Sequence, residues 1–278
     1  MATATNYTID DLMCVCISRQ VEDGEVLAQG IATPLVAAGY LLAKSTHAPH
    51  VVFASAIGNA LCQKGAPLGL TRVEELWLGH ALYLWGFCEV ACEMLPTLAP
   101  KEFFRPAQVD PYGHFNNVVI GDYRRPRMRL PGSGGIPDVT PYHPRAYLYV
   151  PRHSRAVFVE KLDFVSGLGL PTPDRPGHRP GLRLLISDLG TFDYANGRMR
   201  LRTFHLGISA DQIRNSTGFS LDVAPDVKET PPPDAEELRL LRDVIDPLGI
   251  RELERMSGPR RRQRLREIVR IERGLSDQ

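Results

Sequence analysis

Three short stretches carry residue types suited to binding or transforming an anionic or activated substrate. The first is residues 30–34 (GIATP), where Gly30 and Thr33 lead into Pro34. Amide N–H groups at a helix start can meet a phosphate or a developing oxyanion. The plainer role is a helix cap, with the Thr33 hydroxyl at the N-cap and Pro34 at the first helical position. The second is residues 54–59 (ASAIGN), small residues directly after the apolar triplet VVF. Ser55 offers a hydroxyl nucleophile there, but no G-x-S-x-G elbow surrounds it and spacing assigns it no histidine base, so packing competes with catalysis. The third is residues 132–135 (GSGG), which follow Arg124, Arg125, Arg127 and Arg129. Consecutive glycines such as Gly134 and Gly135 let backbone amides approach a ligand, and arginines hold phosphate or carboxylate. A surface turn beside a solvated basic face is the alternative.

Other chemistries are weakly encoded. His47 with His50, and Cys88 with Cys92, are close in sequence, but neither pair has a second pair at zinc-site spacing. Loop histidines and buried thiols are expected instead, and no metal site. Residues 30–34 lack the G-x-G-x-x-G spacing of a dinucleotide loop. The run PRRRQRLREIVRIERG is interrupted by Glu267 and Glu272 and has no aromatic platform, which points to a solvated or subunit-contacting helix and not to nucleic-acid binding.

These stretches need elements to hold them. A helix over 10–22, a strand over 25–29, a turn at Gly30, a helix from Pro34 to about Lys44 and a strand over 51–53 make a strand-helix-strand unit with parallel pairing and a right-handed crossover. Ligands of open α/β sheets sit at the C-terminal ends of parallel strands, where the first two stretches fall. Further strands are expected at 103–104, 147–150, 157–159, 184–187 and 199–202. Asp110-Pro111-Tyr112-Gly113 reads as a type I turn, and Asn196-Gly197 as a hairpin that adds an antiparallel pair. The fold class is α/β, an open, mostly parallel sheet with flanking helices. At Pro231-Pro232-Pro233 the chain stiffens, so residues 1–228 are expected as the α/β domain and 229–278 as a Pro-rich spacer with a helical extension, its helices near 234–246 and 258–274.

Composition narrows the classes. Lys and Arg exceed Asp and Glu by one, so no electrostatic partner is announced, and 43% hydrophobic against 23% charged residues suit a chain with a sizeable core. Five cysteines without a C-x-x-C pair fit reduced thiols in a cytoplasm. Residues 1–11 carry no Lys or Arg, unlike a signal peptide. Residues 26–43 are uncharged over a length that would cross a bilayer, but Gln29, Gly30, Thr33 and Pro34 break the run, so no membrane span is expected.

Four ordered blocks carry a resemblance: QVEDGEVLAQGIATPLVAAGYLLAKSTHAPHVVF (20–53), AQVDPYGHFNNVVIGDYRRPRMRLPGSGG (107–135), LLISDLGTFDY (184–194) and NSTGFSLDV (215–223). Over residues 7–247 the chain resembles the β subunit of family I CoA-transferases, most closely the glutaconate CoA-transferase type. The resemblance implies the CoA-transferase (NagB/RpiA-like) fold, a coenzyme A thioester as substrate with no permanently bound cofactor, and an α-type partner subunit in a heterodimer or α2β2-type assembly. It implies substrate-binding positions at Gly30, Thr33, Ser55, Gln108, Gly134 and Gly135, the last two matching the glycine motif whose amide stabilises a thioester oxyanion. In the family a glutamate at the end of the 51–53 strand attacks the thioester; here that position is Ala54. Transfer of CoA to a carboxylate is the class the similarity suggests. The loss of the glutamate is shared with acyl-CoA hydrolases that open steroid rings and with a 3-methylglutaconyl-CoA decarboxylase, and a non-catalytic scaffold subunit is the further alternative. Glu74 and Glu75, the nearest carboxylates in sequence, read as the start of another helix.

Overall fold

The uncharged run at 26–43 divides, in the computed structural model, into a strand, a turn and a helix. The structure describes residues 5–30, 32–56, 59–141, 144–171 and 182–274. In chain order these begin with α1 (Ile9–Ser18), β1 (Val26–Gln29), α2 (Pro34–Ser45), β2 (Val52–Ser55), β3 (Ala60–Cys62) and β4 (Ala81–Leu84). Next come α3 (Phe87–Glu89), α4 (Leu95–Leu98), β5 (Lys101–Phe104), β6 (Gln108–Val109), β7 (Phe115–Asn116), β8 (Val119–Gly121) and β9 (Pro126–Arg129). Then follow α5 (Ile136–Val139), β10 (Ala146–Val150), β11 (Leu182–Ser187), β12 (Gly190–Ala195) and β13 (Arg198–Phe204). The last elements are α6 (Ala210–Ser216), β14 (Asp222–Glu229), α7 (Ala235–Arg239) and α8 (Gly258–Glu272). The chain forms two units, Met1–Phe87 together with Pro232–Gln278, and Cys88–Pro231.

In the first unit the strands lie in the order β4-β3-β2-β1. β1 and β2 pair in parallel, with Ala28 opposite Ala54 and Gln29 opposite Ser55, so α2 is the expected crossover. β3 and β4 continue antiparallel. Thr8 and Asp11 close a capping box at the start of α1. At Gly39 of α2 an added Cβ would lie 2.6 Å from the Ile17 side chain, so the two helices approach at a distance only glycine permits. Leu12, Val15, Leu35, Tyr40, Phe53 and Trp77 are fully buried, and the Phe53 and Trp77 rings stand 4.5 Å apart. Pro232–Gln278 belongs with Met1–Phe87, and its helical residues bury Leu238, Leu241, Ile245, Leu253 and Ile268. There the Arg251 guanidinium reaches Asp11 at 2.6 Å, Asp246 at 2.8 Å and Asp10 at 3.3 Å.

The second unit orders its strands β5-β10-β11-β12-β13-β14. β5, β10 and β11 are parallel, as are β13 and β14, while β12 pairs antiparallel on both sides. Asn196 and Gly197, both at positive φ, turn the β12–β13 hairpin as expected. The Asp110 turn joins β6 to β7, its carboxylate accepting from the Tyr112 and His114 amides at 2.9 Å. Phe104, Phe115, Leu148, Phe158, Leu185, Phe192 and Leu201 fill the core. Two expectations are corrected. Residues 157–159 make no strand: the Val157 and Phe158 amides both bond back to the Ser154 carbonyl, leaving single bridges to Val109 and Gly218. Cys88 and Cys92 are exposed, not buried, because α3 and the turn after it lie at the surface. Among the described residues no helix is long and apolar enough to cross a membrane.

Candidate active site

The C-terminal ends of β1 and β2 form a polar floor made of neutral groups. Gln29, buried, accepts a hydrogen bond from the Trp77 indole N–H and donates from Nε2 to Thr33 Oγ1 at 3.2 Å. Thr33 in turn donates to the Gly30 carbonyl at 3.0 Å. Its hydroxyl therefore points back into the turn and does not cap α2, contrary to the sequence reading. The helix start is served from far away: Leu35 N–H donates to the buried carboxylate of Glu254 at 2.9 Å. One of the amides expected to meet an anion is thus already taken by an internal one.

Ala54 sits one residue before the end of β2, nearly covered, and its methyl is the only side-chain group it can present. Ser55 beside it is buried opposite Gln29. The following loop keeps the ladder going through Ala56 N–H to the Gln29 carbonyl at 2.9 Å; Ile31, Ile57 and Gly58 lie outside the described residues. Ala32 after β1 and Asn59 after β2 both adopt positive φ, 58° and 49°. Left-handed backbone at non-glycine residues is costly, and both loops that border the strand ends hold one such residue. Gln29, Thr33, Ser55 and Asn59 are neutral, and the Glu254 carboxylate at the start of α2 is engaged by the Leu35 N–H. Glu74 and Glu75 stand on an exposed 3₁₀ turn, Val73–Leu76, with Glu75 3.6 Å from Arg72.

The remaining site residues belong to the second unit. Gly135, at φ 76°, is the N-cap of α5, and an added Cβ at Gly132, Gly134 or Gly135 would meet nothing within 4 Å. Open space along three glycines is what a closely approaching ligand requires. Asn117 ties this loop to β6: its carbonyl accepts from Gly132 N–H at 3.0 Å and its side-chain oxygen from Ala107 N–H at 2.9 Å. Gln108 is buried, with Oε1 accepting from Asn116 Nδ2 at 2.7 Å and Nε2 donating to Asp163 at 3.0 Å, so its amide braces the loop base. The β8–β9 hairpin exposes Arg124, Arg125 and Arg127, while Arg129 lies 4.6 Å over the Tyr123 ring. Gly30, Thr33, Ala54 and Ser55 therefore gather at one set of strand ends, and Gln108, Gly134 and Gly135 around another.

Sequence reasoning did not single out Gln29, Glu254 or His153. His153 follows β10, stacks 3.6 Å over Phe158, and bonds Ser187 Oγ at 3.1 Å and Thr217 Oγ1 at 3.0 Å. Burial pushes its pKa down to about 3, so the ring stays neutral and serves the packing of β10 and β11. No spacing rule connects these partners along the chain.

A model of the coenzyme A transferase family matches residues 95–216. The B-type subunit of glutaconate CoA-transferase from Acidaminococcus fermentans is 32% identical over 267 residues, which cover 89% of this chain and 96% of that protein. The chain belongs to the coenzyme A transferase family. The solved glutaconate CoA-transferase superposes with a TM-score of 0.76 over 87% of this family member and 96% of the solved chain, at 29% identity. The cholesterol ring-cleaving hydrolase IpdB subunit of Rhodococcus jostii is 31% identical, covering 83% of this chain and 89% of that one. The decarboxylase AibA/AibB matches with a TM-score of 0.78 and 29% identity, over 89% of this chain and 98% of its own. Relatives of this coenzyme A transferase family chain thus bear the names of a transferase, a hydrolase and a decarboxylase.

Proposed function

We propose that this family member is the β-type subunit of a heteromeric enzyme acting on acyl-CoA thioesters, and that it works by hydrolysis or decarboxylation without a glutamyl-CoA intermediate. Ala54 carries this reading. It stands where the resemblance puts the nucleophilic glutamate, and a methyl group cannot attack a thioester. The neutral Gln29, Thr33, Ser55 and Asn59 around the same strand ends support it, since the ionisable groups that move protons would then come from an α-type partner. In this reading the amides of Gly134 and Gly135 polarise the thioester carbonyl, which the open space along that loop allows. The CoA thioester is a substrate and no resident cofactor is needed. The five free cysteines suit a reducing cytoplasm.

The experiment is product analysis by mass spectrometry after co-expression with the α-type chain, offering glutaconyl-, methylglutaconyl- and ring-bearing acyl-CoAs with and without an acceptor carboxylate. Loss of CO2, or addition of water to the acyl group without an acceptor, is expected. Acceptor-dependent exchange of CoA would overturn the reading in favour of transfer.

A further inference from the structure

β4 is the outermost strand of its sheet, and its sequence context, ALYLWGFC over residues 81–88, contains no charge. Leu82, Tyr83 and Leu84 are 59%, 52% and 58% exposed, and Phe87 just beyond is 65% exposed. Successive strand residues point to opposite faces, so both faces of this strand are apolar and solvent-facing. Sheet edges of this kind are ordinarily blunted with lysine, proline or a bulge, because their unpaired backbone groups recruit other chains. An uncovered run of four large apolar side chains marks an interaction surface.

The register says what this surface borders. Leu84 lies opposite Ala60, and Ala60 opposite Ser55, while Trp85 N–H donates to the Asn59 carbonyl at 3.0 Å. At about 4.8 Å per strand, the β4 edge is about 10 Å from the Ser55 end of β2. We infer that residues 81–87 are the docking edge for the α-type partner subunit, which by covering β4 brings its ionisable side chains up to the neutral floor at Ala54 and Ser55. This rests on the proposed function above. A second copy of this chain is the poorer occupant, because pairing β4 with β4 would bring only another Ala54 and no proton-transfer group.

The test uses the full chain and the α-type chain co-expressed with it. In the complex, backbone amides of residues 81–87 are expected to gain protection from hydrogen exchange relative to the chain alone. Leu82→Asp combined with Leu84→Asp should weaken association at least about thirtyfold, as loss of central apolar anchors does. Leu206→Asp, at a position 57% exposed elsewhere, should leave it unchanged. The exchange measurement on the native chain stands even if the double variant folds poorly. Unaltered exchange at 81–87 in the complex, or self-association of the chain alone that the double substitution abolishes, would overturn the inference. A complex that assembles through β4 but consumes no acyl-CoA would refute the proposed function and leave this surface standing; an active complex indifferent to the double substitution would do the reverse.

Discussion

Glu254 caps α2 from 219 residues away, its Oε1 accepting the Leu35 N–H at 2.9 Å. The bond fixes the start of the helix whose preceding loop lines the β1 strand end, and it fills with an internal carboxylate a place where a helix dipole would otherwise attract an anion. Glu254→Ala should lower the unfolding free energy by about 1–2 kcal/mol, measured by urea titration, whereas Glu254→Gln, which keeps an acceptor oxygen, should lose less. Equal losses for the two variants would mean that the negative charge, which both remove, carries the effect and not the acceptor oxygen.

Ala32 holds a left-handed backbone at φ 58°, a region in which a Cβ is strained. Ala32→Gly should relieve that strain but add freedom to the unfolded chain, leaving the protein about 0.5–1 kcal/mol more stable. A thermal unfolding curve that moves down instead would show that the loop tolerates alanine without strain.

Glu102, partly buried on β5 opposite Ala146, has its pKa raised by burial from the ordinary 4.5 to about 7. An acid whose folded value lies above its unfolded one keeps its proton longer when folded. Its contribution to stability is therefore present below about pH 4.5 and is lost as pH rises toward 7. Glu102→Gln should match the parent in denaturant titrations at pH 4.5 and exceed it at pH 8. A difference between the two proteins that does not change with pH would remove burial of the charge as the cause.

Arg251 is nearly fully buried and is held by Asp10, Asp11 and Asp246, with Arg242 also bonding Asp11 at 2.6 Å. Arg251→Met leaves three buried carboxylates facing one another without their common cation. It should cost about 3–5 kcal/mol, read from chemical denaturation.

The β1-α2-β2 unit was legible because its residues sort locally: an uncharged strand, a Thr-Pro helix start and a second apolar strand. Asn196 and Gly197 were legible for the same reason, since two positive-φ positions in succession announce one turn type. What was not legible depends on distance along the chain. Residues 157–159 have the apolar character of a strand, but the Ser154 carbonyl captures two of their amides. Gln29 looks from sequence like a flaw in an apolar run, and only the fold brings Trp77 and Thr33 to its amide. Thr33 has the right residue type and place for an N-cap, yet its hydroxyl is drawn to the Gly30 carbonyl because Glu254 serves the helix instead. The glycines at 134 and 135 were visible as a motif, whereas the bracing by Asn117 and Gln108 behind them was not.

The most direct test of chemistry without a covalent glutamyl step is the intact mass of this chain, taken during turnover of an acyl-CoA by the assembled heteromer. The native chain should keep its unmodified mass while the acyl-CoA is converted to product, and Ala54→Glu should acquire a CoA thioester adduct under the same conditions. An acyl or CoA adduct on the native chain would contradict the proposal and would point to another nucleophile, Ser55 first.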